Sequence, residues 1–183
     1  RHYILSVGTL QPRKNYSKLI QAFAVFLKKN KQNFGEIDLV IVGKKGWLYE
    51  DILSAPKRYG VEGKVKFLQF VPDEDLPALY SNALCFALPS LYEGFGLPVL
   101  EAMAYSCPVV VSDVSSLPEI AGKAGVYVSP TDSNDIAHGL LAAVRERNLM
   151  QGRLRIKRGL EQVAKFSWDK AAAETLEVLK HLK

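Results

Sequence analysis

Short, continuously apolar runs alternate along this chain with longer amphipathic stretches, and that alternation restricts the fold more than any other feature of the sequence. Leu39-Val40-Ile41-Val42 and Val109-Val110-Val111 have no polar residue to offer a solvated face. Strands of this kind need both faces covered, as in a parallel sheet flanked by helices. Strands are predicted over 3–7, 37–42, 65–71, 84–88, 108–112 and 125–128. Helices are predicted over 15–29, 50–59, 74–82, 97–105, 117–121, 133–145, 150–165 and 167–181. In the first helix Leu19, Ala22, Phe23 and Phe26 are spaced for one face. Pro56 is expected to disturb the second helix, and Asp73 to cap the third. The expected fold class is α/β: a doubly wound, Rossmann-like parallel sheet with helices on both faces and a helical C-terminal tail. Its 183 residues suit a single domain over 1–183, with 166–183 as the terminal helix.

Composition removes several function classes. No apolar run approaches the roughly 18–20 residues of a membrane-spanning helix. Arg1-His2-Tyr3-Ile4-Leu5-Ser6-Val7-Gly8 is too short in its apolar part for a signal peptide and reads as a strand already under way. The chain is therefore expected to be part of something longer. Cys85 and Cys107 lie in apolar stretches without metal-ligand or redox spacing and read as buried, reduced thiols of a cytoplasmic protein. The net charge is +5, and residues 1–35 carry seven basic residues and no acidic one. Such a basic first unit suits an anionic partner: a phosphate ligand, nucleic acid or an anionic membrane surface. Lys28, Lys29 and Lys31 are accounted for as the solvated end of a helix, where cations suit the dipole. Nucleic acid is set aside because the basic residues are not interleaved with aromatics along one face.

In a doubly wound sheet ligands sit beyond the carboxyl ends of the strands, so the loops there carry the chemistry. After the first strand come Gly8-Thr9-Leu10-Gln11-Pro12-Arg13-Lys14-Asn15. Gly8 permits a close turn. Arg13 and Lys14 are expected at the start of the next helix, where the backbone is already partly positive. Two cations there either bracket a bound anion or are solvent-facing loop residues, and local sequence does not decide between these. Gly43-Lys44-Lys45-Gly46 follows the second strand, and Lys44 either reaches the same anion or is simply exposed. Neither loop has a dinucleotide fingerprint or a P-loop. After the fourth strand, Glu93-Gly94-Phe95-Gly96-Leu97-Pro98-Val99-Leu100-Glu101 combines two acids, glycines for close backbone approach and a proline in the first helical turn. Glu101, one turn inside the helix, suits adjacent hydroxyls such as a ribose diol. Spacing alone equally fits a loop acid and an acid complementing a helix dipole. Asp73-Glu74-Asp75 has Asp-x-Asp spacing, but it follows Pro72 and opens a helix, so no metal is expected there.

The segment Pro89-Ser90-x-x-Glu93-Gly94-Phe95-Gly96-Leu97-Pro98-x-x-Glu101-Ala102-Met103-Ala104 resembles the Glu-(seven residues)-Glu motif of family 4 glycosyltransferases, the retaining group 1 enzymes. The resemblance runs in order along the chain. It includes Val7-Gly8-Thr9-Leu10-x-Pro12-Arg13-Lys14-Asn15, Leu39-Val40-Ile41-Val42-Gly43, Val65-x-Phe67-Leu68-x-Phe70-Val71, Pro108-Val109-Val110-x-Ser112, Leu117-Pro118-Glu119 and Phe166-Ser167-Trp168. It implies the C-terminal, donor-binding half of a GT-B enzyme that takes a UDP- or GDP-sugar. It also implies roles. Arg13 and Lys14 hold the donor diphosphate, with Lys44, Gly8 and Gly43 close by. Glu93 and the Gly94-Phe95-Gly96 backbone hold the transferred sugar. The helix start at Leu97, Pro98 and Val99 donates N–H groups to phosphate, Glu101 binds the ribose, and Phe70 and Val71 line the base. Glu93, Arg13 and Lys14 are thereby the catalytic candidates. Many members have arginine directly after the first-loop glycine, where this chain has Thr9.

The resemblance further implies a hexosyl transfer that needs no metal or other cofactor. The acceptor, a glycan or lipid, would be held by an N-terminal domain absent from this chain, so the chain alone is expected to be inactive. Location in the cytoplasm, at the inner face of the membrane, with peripheral association of the full-length enzyme, completes the expectation. A stand-alone nucleotide-sugar-binding module without catalysis shares every motif.

Overall fold

A computed structural model describes residues 2–30 and 36–181. Arg1 and Lys31, counted above among the basic residues, and the last two residues of the predicted terminal helix lie outside that range. Six parallel strands form one sheet: β1 (His2–Val7), β2 (Ile37–Val42), β3 (Val65–Leu68), β4 (Cys85–Leu88), β5 (Val109–Ser112) and β6 (Val126–Val128). Their order across the sheet is β3-β2-β1-β4-β5-β6. The helices between them are α1 (Tyr16–Asn30), α2 (Glu50–Arg58), α3 (Leu76–Asn82), α4 (Leu97–Ala104) and α5 (Leu117–Ala121). α6 (Ser133–Glu146), α7 (Met150–Val163) and α8 (Trp168–His181) follow the last strand. The doubly wound α/β reading therefore holds, with every predicted strand in place.

The apolar strands are explained by what covers them. Ile4, Leu39, Ile41, Cys85, Ala87 and Val110 pack in one buried cluster with residues of α1, α2 and α6. Their neighbours Leu5, Val42, Phe86, Leu88, Val109 and Val111 pack in a second with Tyr80, Val99, Met103, Leu117 and Ile120. Alternate side chains thus serve two cores, one on each face, and all those named are buried. Burial of each large apolar side chain contributes about 1.5–3 kcal/mol. Cys85 and Cys107 are free and buried, one in each core. Desolvation by burial pushes the Cys107 thiol up to about 12 and Cys85 higher still.

The end of β3 and the start of α3 move, each for a physical reason. β3 stops at Leu68 rather than at residue 71, because its partner β2 pairs only as far as Val42↔Leu68 and then turns at Gly43. Phe70 and Val71 therefore belong to the following loop. α3 starts at Leu76, with Pro77 in its first turn, and Asp73 does not cap it. A start at residue 74 would put Pro77 deeper, where its ring meets the carbonyl four residues back. Pro56, expected to disturb α2, is buried inside it, and the helix continues to Arg58.

The sheet order reverses direction at one place. From β1 the chain winds outward through β2 to β3, and then returns to the other side of β1 with β4. At such a switch point the helices that follow β1 and β4 cover opposite faces of the sheet, and doubly wound folds bind ligands there, beyond the strands' carboxyl ends. The β1 and β2 exits are laid together: Gly8 N–H donates to Val42 O, Leu10 N–H to Lys44 O and Gly46 N–H to Leu10 O. Gly43 has φ +156°, and a Cβ there would lie 2.0 Å from Gly8 O. Gly43→Ala should therefore lower stability by about 2–4 kcal/mol, read as a shift in the denaturation midpoint; a variant as stable as the parent would show that the two exits are not so tightly joined.

Candidate functional site

The loop after β1 makes a short 3-10 turn over Pro12–Lys14, with Lys14 N–H bonded to Gln11 O. Asn15 then takes a left-handed conformation, φ 61°, which separates that turn from α1. Its Nδ2 donates to Pro89 O at 2.8 Å and to Pro130 O at 2.7 Å, tying the β1 loop to the exits of β4 and β6. Leu91 N–H donates to Arg13 O at 2.9 Å, so the β1 and β4 loops are joined through backbone as well. Arg13 and Lys14 consequently face the β4 loop. They do not form the first turn of α1, where the sequence reading placed them; the left-handed Asn15 delays α1 to Tyr16.

The β4 loop puts one carboxylate between them. Arg13 Nη1 donates to Glu93 Oε2, and Lys14 Nζ to Glu93 Oε1, both at 2.7 Å. Ser90 Oγ donates to the same Oε1 at 2.7 Å. Glu93 and Lys14 are 5% and 7% exposed, so this pair is out of water. The Arg13 side chain is 35% exposed. Its Nη1 also reaches Tyr92 O at 2.6 Å, and the remaining guanidinium N–H groups are available to a ligand. Burial pushes the Glu93 carboxyl up, but hydrogen bonds from Lys14, Ser90 and Arg13, with the Lys14 charge, outweigh burial and hold it below the usual carboxylate range. Two cations and one carboxylate leave the cluster with an excess positive charge in a sheltered place. That is chemistry suited to receiving an anion at Arg13.

Serines fix the rest of the loop. Ser112 Oγ donates to Ser90 O at 2.6 Å, and Glu93 N–H donates to Ser115 Oγ at 2.9 Å. Ser116 Oγ lies within hydrogen-bond distance of two carbonyls, Glu93 O at 2.9 Å and Phe95 O at 2.7 Å, either of which can take its one proton. At the start of α4, Gly96 has φ 113°, and a Cβ on it would meet Leu117 Cδ2 at 2.9 Å. A Cβ on Gly94 would meet nothing within 4 Å, so packing does not demand glycine there. Leu97 and Pro98 open α4, and Val99 N–H turns back to Gly96 O. Glu101, one turn in, is exposed, and its Oε2 accepts a 2.8 Å hydrogen bond from Tyr80 of α3.

The structure thus joins Arg13, Lys14 and Glu93 in one cluster, backed by Gly8, whose carbonyl accepts from the Tyr16 hydroxyl at 2.9 Å. Glu101 is a second polar station on α4. Lys44 stands exposed beyond β2, and Phe70 is 71% exposed on the loop after β3. Val71 is half-buried, and Phe95 sets its ring edge-on to Phe166, centroids 5.8 Å apart. Sequence reasoning gave no role to Asn15, Ser90, Ser115, Ser116 or Tyr80. Ser90 lay inside the quoted motif. For Tyr80, 21 residues before Glu101, nothing in the spacing signals contact.

The chain matches, over residues 1–162, the family described as glycosyl transferases group 1. It is 38% identical over 180 residues to the O-antigen chain mannosyltransferase B of Escherichia coli, a match covering 98% of this chain and 46% of that protein. It is 32% identical over 187 residues to the MMP alpha-(1->4)-mannosyltransferase of Mycolicibacterium hassiacum, covering 97% and 43% respectively. Among solved structures, the sucrose-phosphate synthase of Thermosynechococcus elongatus superposes with a TM-score of 0.81 at 28% identity, covering 99% of this chain and 45% of that one. The chain therefore spans less than half the length of these relatives. Among the described residues no helix is long and apolar enough to cross a membrane.

Glu93 has a consequence for acid stability. In the unfolded chain its carboxyl returns to an ordinary value of about 4.3, so the unfolded state binds the extra proton in acid. The stability carried by the cluster is complete above that value and is lost as pH falls through it toward the lower folded value. Glu93→Gln should cost roughly 2–4 kcal/mol at neutral pH, because it leaves Lys14 buried without its counter-charge. Between about pH 7 and pH 3 the wild type should then lose more stability than Glu93→Gln, whose side chain does not titrate. Parallel losses in both proteins would contradict an ion-paired carboxylate.

Proposed function

Because the chain belongs to the group 1 glycosyltransferases, we propose that it is the donor-binding half of an enzyme transferring a hexosyl group from a nucleoside diphosphate sugar. The observation that carries this reading is the Arg13–Glu93–Lys14 cluster, with its excess positive charge at the switch point of the sheet. The diphosphate would lie against Arg13 and the N-terminal turn of α4, where the Leu97 N–H and the helix dipole add partial positive charge. As the bond to the sugar breaks, negative charge grows on the leaving diphosphate. Arg13 and the helix start stabilise it in place, so the reading calls on no cofactor. Lys14 acts mainly through Glu93: it neutralises that carboxylate and leaves the Arg13 guanidinium partly free for the donor.

Glu93 and the Gly94–Gly96 backbone would hold the transferred sugar. The open space beside Gly94 supports this, because a ligand can approach the backbone there. Glu101 would take the ribose diol, and Phe70 and Val71 would lie beside the base. The mannosyltransferase relatives favour mannose as the sugar. Retention of anomeric configuration and a glycan or lipid acceptor held by a further domain complete the reading. The chain covers under half of those relatives, which favours a site closed by another part of the protein.

Calorimetry or thermal shift with UDP, GDP, ADP and their sugars tests the assignment; no binding at millimolar concentration of any of them would sink it. Arg13→Ala should weaken the best nucleoside diphosphate about tenfold or more while sparing the free nucleoside. Glu101→Ala should weaken both. No turnover is expected from this chain alone, and appreciable sugar transfer by it would contradict the need for a second half.

A further inference from the structure

Glu101 is an exposed side chain with several rotatable bonds on the first turns of a helix, a poor candidate for precise recognition unless something holds it. Tyr80 supplies the hold. It is fully buried, and it is the only buried residue of α3. Its ring is stacked on Tyr105, at 6.1 Å and 10°, and tilted against Phe86, at 5.7 Å and 57°. Packing between those rings leaves the hydroxyl one place to point, and there it donates to Glu101 Oε2 at 2.8 Å. A neutral donor to a carboxylate makes a charge-assisted hydrogen bond, stronger than one between neutral groups.

We propose that Tyr80 is a positioning residue for nucleotide recognition: its buried hydroxyl fixes the Glu101 carboxylate so that the remaining acceptor sites meet two adjacent hydroxyls of a ribose. The inference rests on the donor-site reading above and deepens it. Tyr80 spends one acceptor site of Oε2, while Oε1 and the second site of Oε2 accept nothing from the described residues. Ordering the side chain before the ligand arrives removes an entropic penalty from binding. Burial, with the Glu101 charge next to it, pushes the phenol far above its ordinary range, so it stays protonated and remains a donor. Since α3 follows the β3 loop carrying Phe70 and Val71, the hydroxyl also links the proposed base-side loop to the α4 helix.

The test compares the tightest-binding nucleoside diphosphate with its 2′,3′-dideoxy counterpart, by calorimetry on this chain. The quantity read is the ratio of the two affinities. Wild type should prefer the diol, and Glu101→Ala should abolish the preference. Tyr80→Phe should keep the fold and reduce the preference about three- to tenfold, acting on the ribonucleotide and hardly on the dideoxy compound. In the Glu101→Ala background, Tyr80→Phe should change nothing further. A Tyr80→Phe chain with undiminished preference, or with both ligands weakened alike, overturns the inference and leaves a merely structural tyrosine. If Tyr80→Phe does not fold, Glu101→Asp withdraws the carboxylate from the phenol while keeping the charge; it should lose the preference, and keeping it overturns the inference. Failure of the underlying reading is distinct, because there Glu101→Ala itself would leave the ratio unchanged.

Discussion

A single carboxylate, that of Glu93, joins the two halves of the site. It accepts from Arg13 and Lys14 on the β1 loop and from Ser90 at the foot of the β4 loop. β1 and β4 are neighbours in the sheet but 78 residues apart from strand end to strand start, so no local preference can bring their loops together. Burying a lysine beside a glutamate is favourable only when desolvation is offset by short, well-directed bonds. Here Lys14 and Ser90 converge on one oxygen and Arg13 on the other. The cluster fixes the two loops in one geometry and leaves the Arg13 guanidinium partly exposed.

That arrangement depends on the sheet beneath it. The reversal of strand order at β1 sends α1 and α4 to opposite faces, and the two cores cover the sheet from both sides. Backbone bonds then lay the β2 exit against the β1 exit, while Asn15 reaches two carbonyls on the other side. Serines hold the loop from Glu93 to Phe95 through Glu93 N–H and the Glu93 and Phe95 carbonyls. Polar side chains are spent on geometry here, and the apolar mass lies below.

Much of this was legible beforehand. The unbroken apolar runs at 39–42 and 109–111 require covered faces, and all six strands are where those runs and their relatives in the chain lie. Boundaries were less legible where tertiary partners decide them. β3 ends when β2 stops pairing, and α3 begins where Pro77 can be tolerated. Glu93, Arg13 and Lys14 were candidates in their loops, and the family resemblance gave them their roles. That they are partners of one another was not legible, since separation along the chain carries no information about which loops the sheet brings together.

Glu93 and Glu101 present the same contrast at closer range. They are eight residues apart and look like a pair, yet the fold places one among buried cations and the other at the surface beside a buried phenol. Sequence by itself determined the class of fold and the strands, because apolar periodicity is a local property, and it named the candidate site residues through the family resemblance. Tertiary structure alone decided which charges neutralise one another and which remain for a ligand. Burial and hydrogen-bond distance set those balances, and both arise only when distant segments pack.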